Sequence, residues 1–246
     1  MVGRWQNRQP ARPEGEPPNF RIDVERQAVS SARREIVIVM HGLAGSRWTN
    51  WVLARRIAAN GCEVQNWQYP SVRCSIPVVV EEMTARFHRL VESTGADAIH
   101  VVSHSMGSII TRAVLAENPS LPIDRMVMLA PPNHGSPAAT RFAPYVGWLS
   151  PAIPQMADHE GSYVRSLPTQ MTQDVGLILA EYDLVVPVES TRLDAVRDVV
   201  SVPSHHGLLP FRRDVAEHCT NFLKYGQFTV AEAAEPVASG VFAPAR

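Results

Sequence analysis

Ser105, Asp183 and His205 are the residues of this chain whose types and order suit nucleophilic acyl chemistry. A serine hydroxyl is a poor nucleophile near neutral pH. It needs a histidine to take its proton and a carboxylate to orient and compensate that histidine. Ser105 lies in Ser103-His104-Ser105-Met106-Gly107, between the apolar run Ile99–Val102 and the helical spacing of Met106, Ile109, Ile110, Ala113 and Val114. A strand, a small-x-Ser-x-Gly turn and a helix in register predict a nucleophile elbow, which raises the serine on a tight turn. The positions two before and two after the serine must be small, because a large side chain there would strike the adjoining strand or helix. Gly107 meets this demand, and Ser103 stands where glycine is more usual. The first N–H groups of the following helix, and the positive end of its dipole, would face charge developing near Ser105.

The partners are expected after later strands, where loops converge at one edge of a parallel sheet. Asp183 follows the apolar run Leu177–Ala180, and Glu181 and Asp194 are the alternatives to it. His205 follows Val199–Val202 in Val202-Pro-Ser-His205-His206-Gly. Adjacent side chains diverge, so only one of this histidine pair can face Ser105; His205 is the assigned base and His206 its alternative. His104 is assigned to shaping the turn or the cleft wall.

A tetrahedral intermediate also needs hydrogen-bond donors placed where its negative oxygen forms. The backbone N–H of Met106 is one. The second is assigned to Leu43 in His41-Gly42-Leu43-Ala44-Gly45, whose glycines would permit a turn that aims an N–H inward. His41 is read as organising this loop, and Ser46 as capping the next helix. No Gly-Lys-Ser/Thr follows the glycines, so a phosphate-binding loop is excluded.

The elements that must position these residues alternate. Strands are predicted at Glu35–Met40, Glu63–Trp67, Ala98–Val102, Arg125–Ala130, Val175–Ala180 and Val199–Val202. Helices are predicted at Trp48–Asn60, Val78–Ser93, Met106–Glu117 and Arg213–Tyr225. Such alternation implies an α/β fold with parallel pairing and right-handed crossovers. Residues 1–19, rich in Pro and charge, read as a flexible N-terminal arm, and residues 231–246 as a flexible C-terminal tail, flanking one domain at 20–230. Residues 131–172 lack a clean period and contain six prolines, Pro131 apart, together with apolar residues such as Phe142, Trp148, Ile153 and Met156. An interval of that kind reads as a short lid or cap insertion over a cleft, or as an irregular structural cap without gating.

The composition, 45% hydrophobic and 19% charged over 246 residues, is that of an ordinary globular chain. A formal net charge of −1 makes no electrostatic case for nucleic acid or an anionic membrane as partner. Cys62, Cys74 and Cys219 have no metal-like spacing and read as free thiols in a reducing compartment. The N-terminal stretch has no apolar signal core and no run suits a membrane span, so a cytoplasmic location without stable membrane insertion is expected. The oligomeric state leaves no mark in the sequence.

Taken together, these residues resemble the α/β-hydrolase superfamily and, within it, small bacterial lipase-like serine esterases. Val37-Ile-Val-Met-His41-Gly42-Leu43 looks like the oxyanion-loop signature, and Ser103-His-Ser105-Met-Gly107 like the lipase elbow. Ala130-Pro-Pro-Asn-His134-Gly135-Ser136 is similar to a segment many bacterial lipases carry after the following strand. Val188–Leu193 and Ser204–Leu209 resemble the closing part of a small lipase-like group, and the match covers most of residues 35–225. Two departures are Ser103 for the first elbow glycine and Ser108 where a second glycine often follows; both are small. The resemblance implies a mostly parallel sheet flanked by helices. It implies a serine hydrolase cleaving small-molecule carboxylic esters through an acyl-enzyme on Ser105, with no cofactor and no metal. An acyltransferase, thioesterase or amidase would use the same triad, and a non-catalytic binding scaffold is the reading of a different class.

Overall fold

The computed structural model describes residues 33–229. The arm expected at 1–19 and the tail expected at 231–246 lie outside the described residues.

Six strands form: β1 (Glu35–Met40), β2 (Glu63–Trp67), β3 (Ala98–His104), β4 (Ile123–Leu129), β5 (Asp174–Ala180) and β6 (Asp198–Val202). They make one sheet in the order β2-β1-β3-β4-β5-β6, with every neighbouring pair parallel. Side chains alternate across the pleat, so β1 sends Ile36, Ile38 and Met40 into one core and Val37 and Val39 into the other. The first core is closed by α2 (Ile76–Thr94) and α3 (Met106–Glu117), through Val79, Val80 and Met83 of the one and Ile109, Ile110 and Ala113 of the other. The second is closed by α1 (Trp51–Ala59) and α7 (Arg213–Tyr225), through Leu53 and Ile57, and Val215, Cys219 and Phe222. Burial on both faces explains the apolar runs of the central strands β1, β3, β4 and β5, while the edge strands β2 and β6 carry Gln65, Asn66 and Ser201.

The strand order decides where a site can form. The chain leaves β1 to one side for β2, then crosses back past β1 to β3 and continues through β4, β5 and β6. The loops after β1 and β3 therefore part in opposite directions at the carboxyl edge of the sheet, leaving a crevice between them.

Two local expectations differ from the structure. Ser46 does not cap α1: its hydroxyl accepts the Trp48 N–H at 3.2 Å, its carbonyl accepts the Thr49 N–H at 3.0 Å, and α1 begins after Asn50. Those bonds close a separate turn over 46–49, which uses up the hydroxyl before the helix starts. Residues 131–172 contain α4 (Pro137–Val146), α5 (Ala152–Gln155) and α6 (Tyr163–Ser166). Helix α4 has proline at its start and a Ser136 hydroxyl accepting the Ala139 N–H, but no buried residue. The helix has only ten residues and holds Pro144 inside it, and an internal proline reads as a helix breaker. Cys62, Cys74 and Cys219 are free thiols. Among the described residues no helix is long and apolar enough to cross a membrane.

Segment 131–172 is tied at both ends to α3 by one side chain. Arg112 is 1% exposed. Its guanidinium donates to the carbonyl and side-chain oxygens of Asn133 at 3.0 and 3.1 Å and to the carbonyls of Leu167 and Pro168 at 3.4 and 3.0 Å. Asn133 in turn donates to the Thr191 carbonyl at 2.7 Å. Burial lowers the Arg112 pKa to about 10, which still leaves the group charged at neutral pH. A planar five-donor fork suits this cluster of oxygens in a way a lysine cannot. Arg112→Met should lower stability by on the order of 2 kcal/mol, because buried acceptors are left without donors. Urea unfolding checks this: the midpoint should fall with the slope unchanged.

Candidate active site

Strand β3 delivers Ser105 to the crevice and α3 begins with the next residue. Ser105 has φ 50° and ψ −119°, a conformation L-residues rarely adopt, held by its N–H donating to the Leu129 carbonyl at 2.9 Å. Helix α3 passes so close to β1 that a Cβ on Gly107 would lie 2.8 Å from the His41 carbonyl oxygen and 3.1 Å from that of Met40. The two serines that depart from glycine face each other: Ser103 Oγ and Ser108 Oγ are 2.9 Å apart and buried. Their hydroxyls add a bond across the base of the elbow that glycines could not make.

The histidine beside Ser105 is His206 and not His205. His206 Nε2 lies 3.0 Å from Ser105 Oγ, and its Nδ1 lies 2.7 Å from Asp183 Oδ2. His205 is exposed, with Nδ1 3.1 Å from the Tyr182 carbonyl and its ring 5.8 Å from the Tyr182 ring. The physical reason is a turn that sequence spacing does not set. A 3-10 helix over His206–Phe211 starts at the second histidine, while His205 is still extended with φ −90° and ψ 158°. The two side chains diverge as expected, and the turn gives the inward direction to the second. Asp183 occupies the expected position after β5, its side chain 5% exposed. The alternatives do not reach the site: Glu181 is exposed, and Asp194 accepts from Thr169 Oγ1 at 2.5 Å.

Asp183 Oδ1 accepts the N–H groups of Val185 and Val186, both at 2.8 Å. Burial works against its charge, but the hydrogen bond and attraction from His206 and the two N–H donors outweigh burial, and its pKa lies below the ordinary carboxylate range. The ionised acid therefore requires a proton on His206 Nδ1, which leaves Nε2 to accept from the Ser105 hydroxyl. This arrangement can remove a proton from Ser105 as the oxygen attacks an electrophile. Ser136, which the sequence reading did not assign to the site, braces the acid's loop: its hydroxyl donates to the Val185 carbonyl at 2.6 Å.

The glycines of the loop after β1 work differently from expectation. The left-handed residue is Ala44, with φ 55°, while Gly42 and Gly45 are required for closeness. A Cβ on Gly42 would stand 3.0 Å from His104 Nδ1 and 3.1 Å from Ser105 Cβ. Leu43 and Ser105 line the same cavity, and Met106 is the first residue of α3, so its N–H has no partner within the helix. His41 organises this loop. Its Nδ1 donates to the Gly42 carbonyl at 2.8 Å, its ring stacks on Tyr69 at 4.1 Å, and the Tyr69 hydroxyl donates to the His41 carbonyl. Tyr69 was visible only as an aromatic residue two positions beyond a strand.

Ser105 and His206 open onto a cavity of about 340 Å³. Its wall includes Leu43, Ala139, Phe142, Ile153, Met156 and Val186, and no Asp, Glu, Lys or Arg lines it. Ser136, the one polar wall residue besides His104, Ser105 and His206, has its hydroxyl engaged as donor and acceptor. Among the described residues no group of three or more His, Cys, Asp or Glu is placed to hold a metal ion.

Residues 35–155 match the family model described as alpha/beta hydrolase fold. No curated protein matches the sequence. Among solved structures, the chain is similar to the mature form of Bacillus licheniformis lipase BlEst2, with TM-score 0.62 and 15% identity over 79% of this chain and 91% of that one. It is similar to Aspergillus fumigatus lipase B, with TM-score 0.65 and 15% identity over 78% of this chain and 53% of that one. A third likeness is to Paleococcus ferrophilus monoacylglycerol lipase, with TM-score 0.52 and 16% identity over 70% and 85% of the two chains. The chain spans about half the length of the Aspergillus lipase and of the propeptide form of BlEst2, 53% and 47% respectively.

Buried neutral histidines make the fold sensitive to acid. Burial lowers the pKa of His41 and His100, and takes that of His104 to about 3. In the unfolded chain the same groups take protons near pH 6.5, at about the ordinary histidine value. Between pH 7 and 5 the unfolded state thus binds more protons, and stability falls by up to about 1.4 kcal/mol per pH unit for each such histidine. Asp183 acts in the same direction at lower pH, its contribution being lost as pH falls through its depressed pKa. Thermal unfolding from pH 7 to 5 should show Tm falling, with a shallower slope in His100→Asn; equal slopes would contradict the assignment.

Proposed function

We propose that this chain, a member of the α/β-hydrolase superfamily, is a serine hydrolase that cleaves carboxylic esters carrying an uncharged, apolar acyl group. The supporting observation is the single ring of His206, bonded at one nitrogen to Ser105 and at the other to Asp183, at the mouth of an apolar cavity. Lipases among the structural neighbours are consistent with the reading.

In this mechanism Ser105 Oγ attacks the ester carbonyl while its proton passes to His206 Nε2. Asp183 keeps the Nδ1 proton in place and offsets the imidazolium charge. The carbonyl oxygen becomes an oxyanion facing the N–H groups of Met106 and Leu43, which are assigned as its donors. Collapse of the tetrahedral intermediate breaks the bond to the alcohol, which leaves with the proton held by His206. Water then gives a proton to His206 and attacks the acyl-enzyme, and the acid departs as Ser105 recovers its proton. Segment 131–172 serves as the cap that holds the acyl chain, through Ala139, Phe142, Ile153 and Met156. With no charged side chain on that wall, an acyl group bearing a carboxylate or ammonium would be desolvated without compensation.

Hydrolysis of p-nitrophenyl esters of graded acyl length tests the reading. Ser105→Ala and His206→Ala should each lower kcat by at least about a thousandfold. His205→Ala should leave kcat within about threefold, since its ring faces solvent and Tyr182; a loss as deep as that of His206→Ala would reverse the assignment of the base. A fluorophosphonate should label wild-type Ser105 covalently, and a folded, unlabelled wild type would overturn the reading. Ala139→Trp, which fills the cavity, should cut kcat/KM for octanoate by about tenfold or more and spare acetate, since each excluded methylene is worth about 1 kcal/mol or more.

A further inference from the structure

One half-buried imidazole beside Ser105, on the cavity wall, has no part in the proton transfer described above. His104 immediately precedes the serine, and its Nε2 lies 3.0 Å from the backbone carbonyl oxygen of His206. Its ring sits 4.9 Å from the His206 ring, tilted by 46°. On its other side, Nδ1 stands 3.0 Å from where a Cβ on Gly42 would be, so the ring fills the space between the oxyanion loop and the loop that carries His206. His104 thus touches the elbow, the loop after β1 and the loop after β6 together.

A carbonyl oxygen can only accept, so the contact to His206 requires a proton on His104 Nε2. The loop it grips is fixed on either side by the Tyr182 N–H donating to the Ser204 carbonyl at 3.0 Å, the Leu208 N–H donating to the His205 carbonyl at 3.0 Å and the fully buried Leu209, while the His206 carbonyl itself is held by His104. His206 opens a short 3-10 helix, and His205 just before it is exposed. The direction of the His206 ring follows from the backbone at that residue. A shift there would lengthen the bond to Ser105 or to Asp183, and reacting groups displaced by about 1 Å can lose a hundredfold in rate.

We infer that His104 is a positioning residue: its Nε2–H holds the His206 carbonyl and so keeps the His206 ring in line between Ser105 and Asp183. The inference rests on the serine-hydrolase reading given above. The neutrality of His104 belongs to the same device. The titratable groups that bear on it are His206, Asp183 and His41; burial and the His206 ring lower its pKa, and the His206 carbonyl and Asp183 offset this only in part. A charged ring at 104 would repel the imidazolium that forms on His206 during the reaction, whereas a neutral one provides the bond without the charge.

The test uses the full chain with two substitutions. His104→Phe keeps a planar ring and lacks the donor; His104→Gln offers an amide N–H at similar reach. With p-nitrophenyl butyrate, His104→Phe should lose about ten- to a hundredfold in kcat with KM within about twofold. Its inactivation by a fluorophosphonate should slow in parallel, and His104→Gln should recover most of both rates. Wild-type rates in His104→Phe, or an equal defect in a folded His104→Gln, would overturn the inference while leaving the serine-hydrolase reading intact. A wild type that neither hydrolyses esters nor is labelled would overturn both. Nitrogen-15 NMR of labelled histidine in the wild type is independent of how the variants fold. The His104 ring should be neutral, protonated at Nε2, and should not titrate between pH 5 and 8; a proton on Nδ1 or titration in that range would overturn the inference.

Discussion

The backbone turn at Ser105 is the constraint on which the remaining geometry depends. A serine with φ 50° costs on the order of 1–3 kcal/mol, and it persists because its surroundings leave no alternative. Leu129 in β4 receives the Ser105 N–H. The first turn of α3 lies against the carbonyls of Met40 and His41, with room only for the hydrogen of Gly107. Ser103 and Ser108 join the two limbs of the elbow from below. Pairing of β3 with β1 on one side and β4 on the other holds the whole turn at the centre of the sheet.

From that turn, coupling runs outward through polar contacts that each join two loops. Arg112, on the same helix, fastens both ends of segment 131–172. Ser136 at the start of α4 holds Val185, and Val185 and Val186 donate to Asp183. Asp183 holds His206, and His104 holds the backbone of that same residue. The cavity wall, Asp183, His206 and Ser105 are thus neighbours in one chain of bonds. Little of this bonding lies within regular secondary structure. Precision at the site therefore comes from side chains that bridge loops, standing on strands that supply only approximate placement.

The central strands were readable because a sheet covered on both faces demands apolar runs. Glu35–Met40 and Glu63–Trp67 match to the residue, as do helices Met106–Glu117 and Arg213–Tyr225. Readability fails where an element is short and interrupted by proline. Helix α4 has ten residues with Pro144 inside it and reads as irregular chain, although Ser136 and Pro137 mark its start chemically. It fails again where a residue's partner is remote in sequence. Ser46 has the type of a cap but bonds within its own turn, and Arg112, inside a helical pattern, shows no sign of the carbonyls it meets 21 to 56 residues later.

The site divides along the same line. The positions of Ser105 and Asp183 at one edge could be read from sequence because each follows an apolar run, and a parallel sheet brings the ends of its strands to one edge. The choice between His205 and His206 could not, since both follow β6 within four residues and a one-residue difference reverses a side chain's direction. Where the 3-10 turn begins settles that direction, and the residue at its start meets His104 and Asp183 from distant parts of the chain. The roles of Gly42 and Gly45 likewise depend on what stands opposite them. Sequence alone determined the order of elements and the edge at which the chemistry gathers, because burial and period are local properties. Tertiary structure decided which histidine faces the serine and what holds it there, because hydrogen bonds between loops depend on three-dimensional proximity that spacing does not encode.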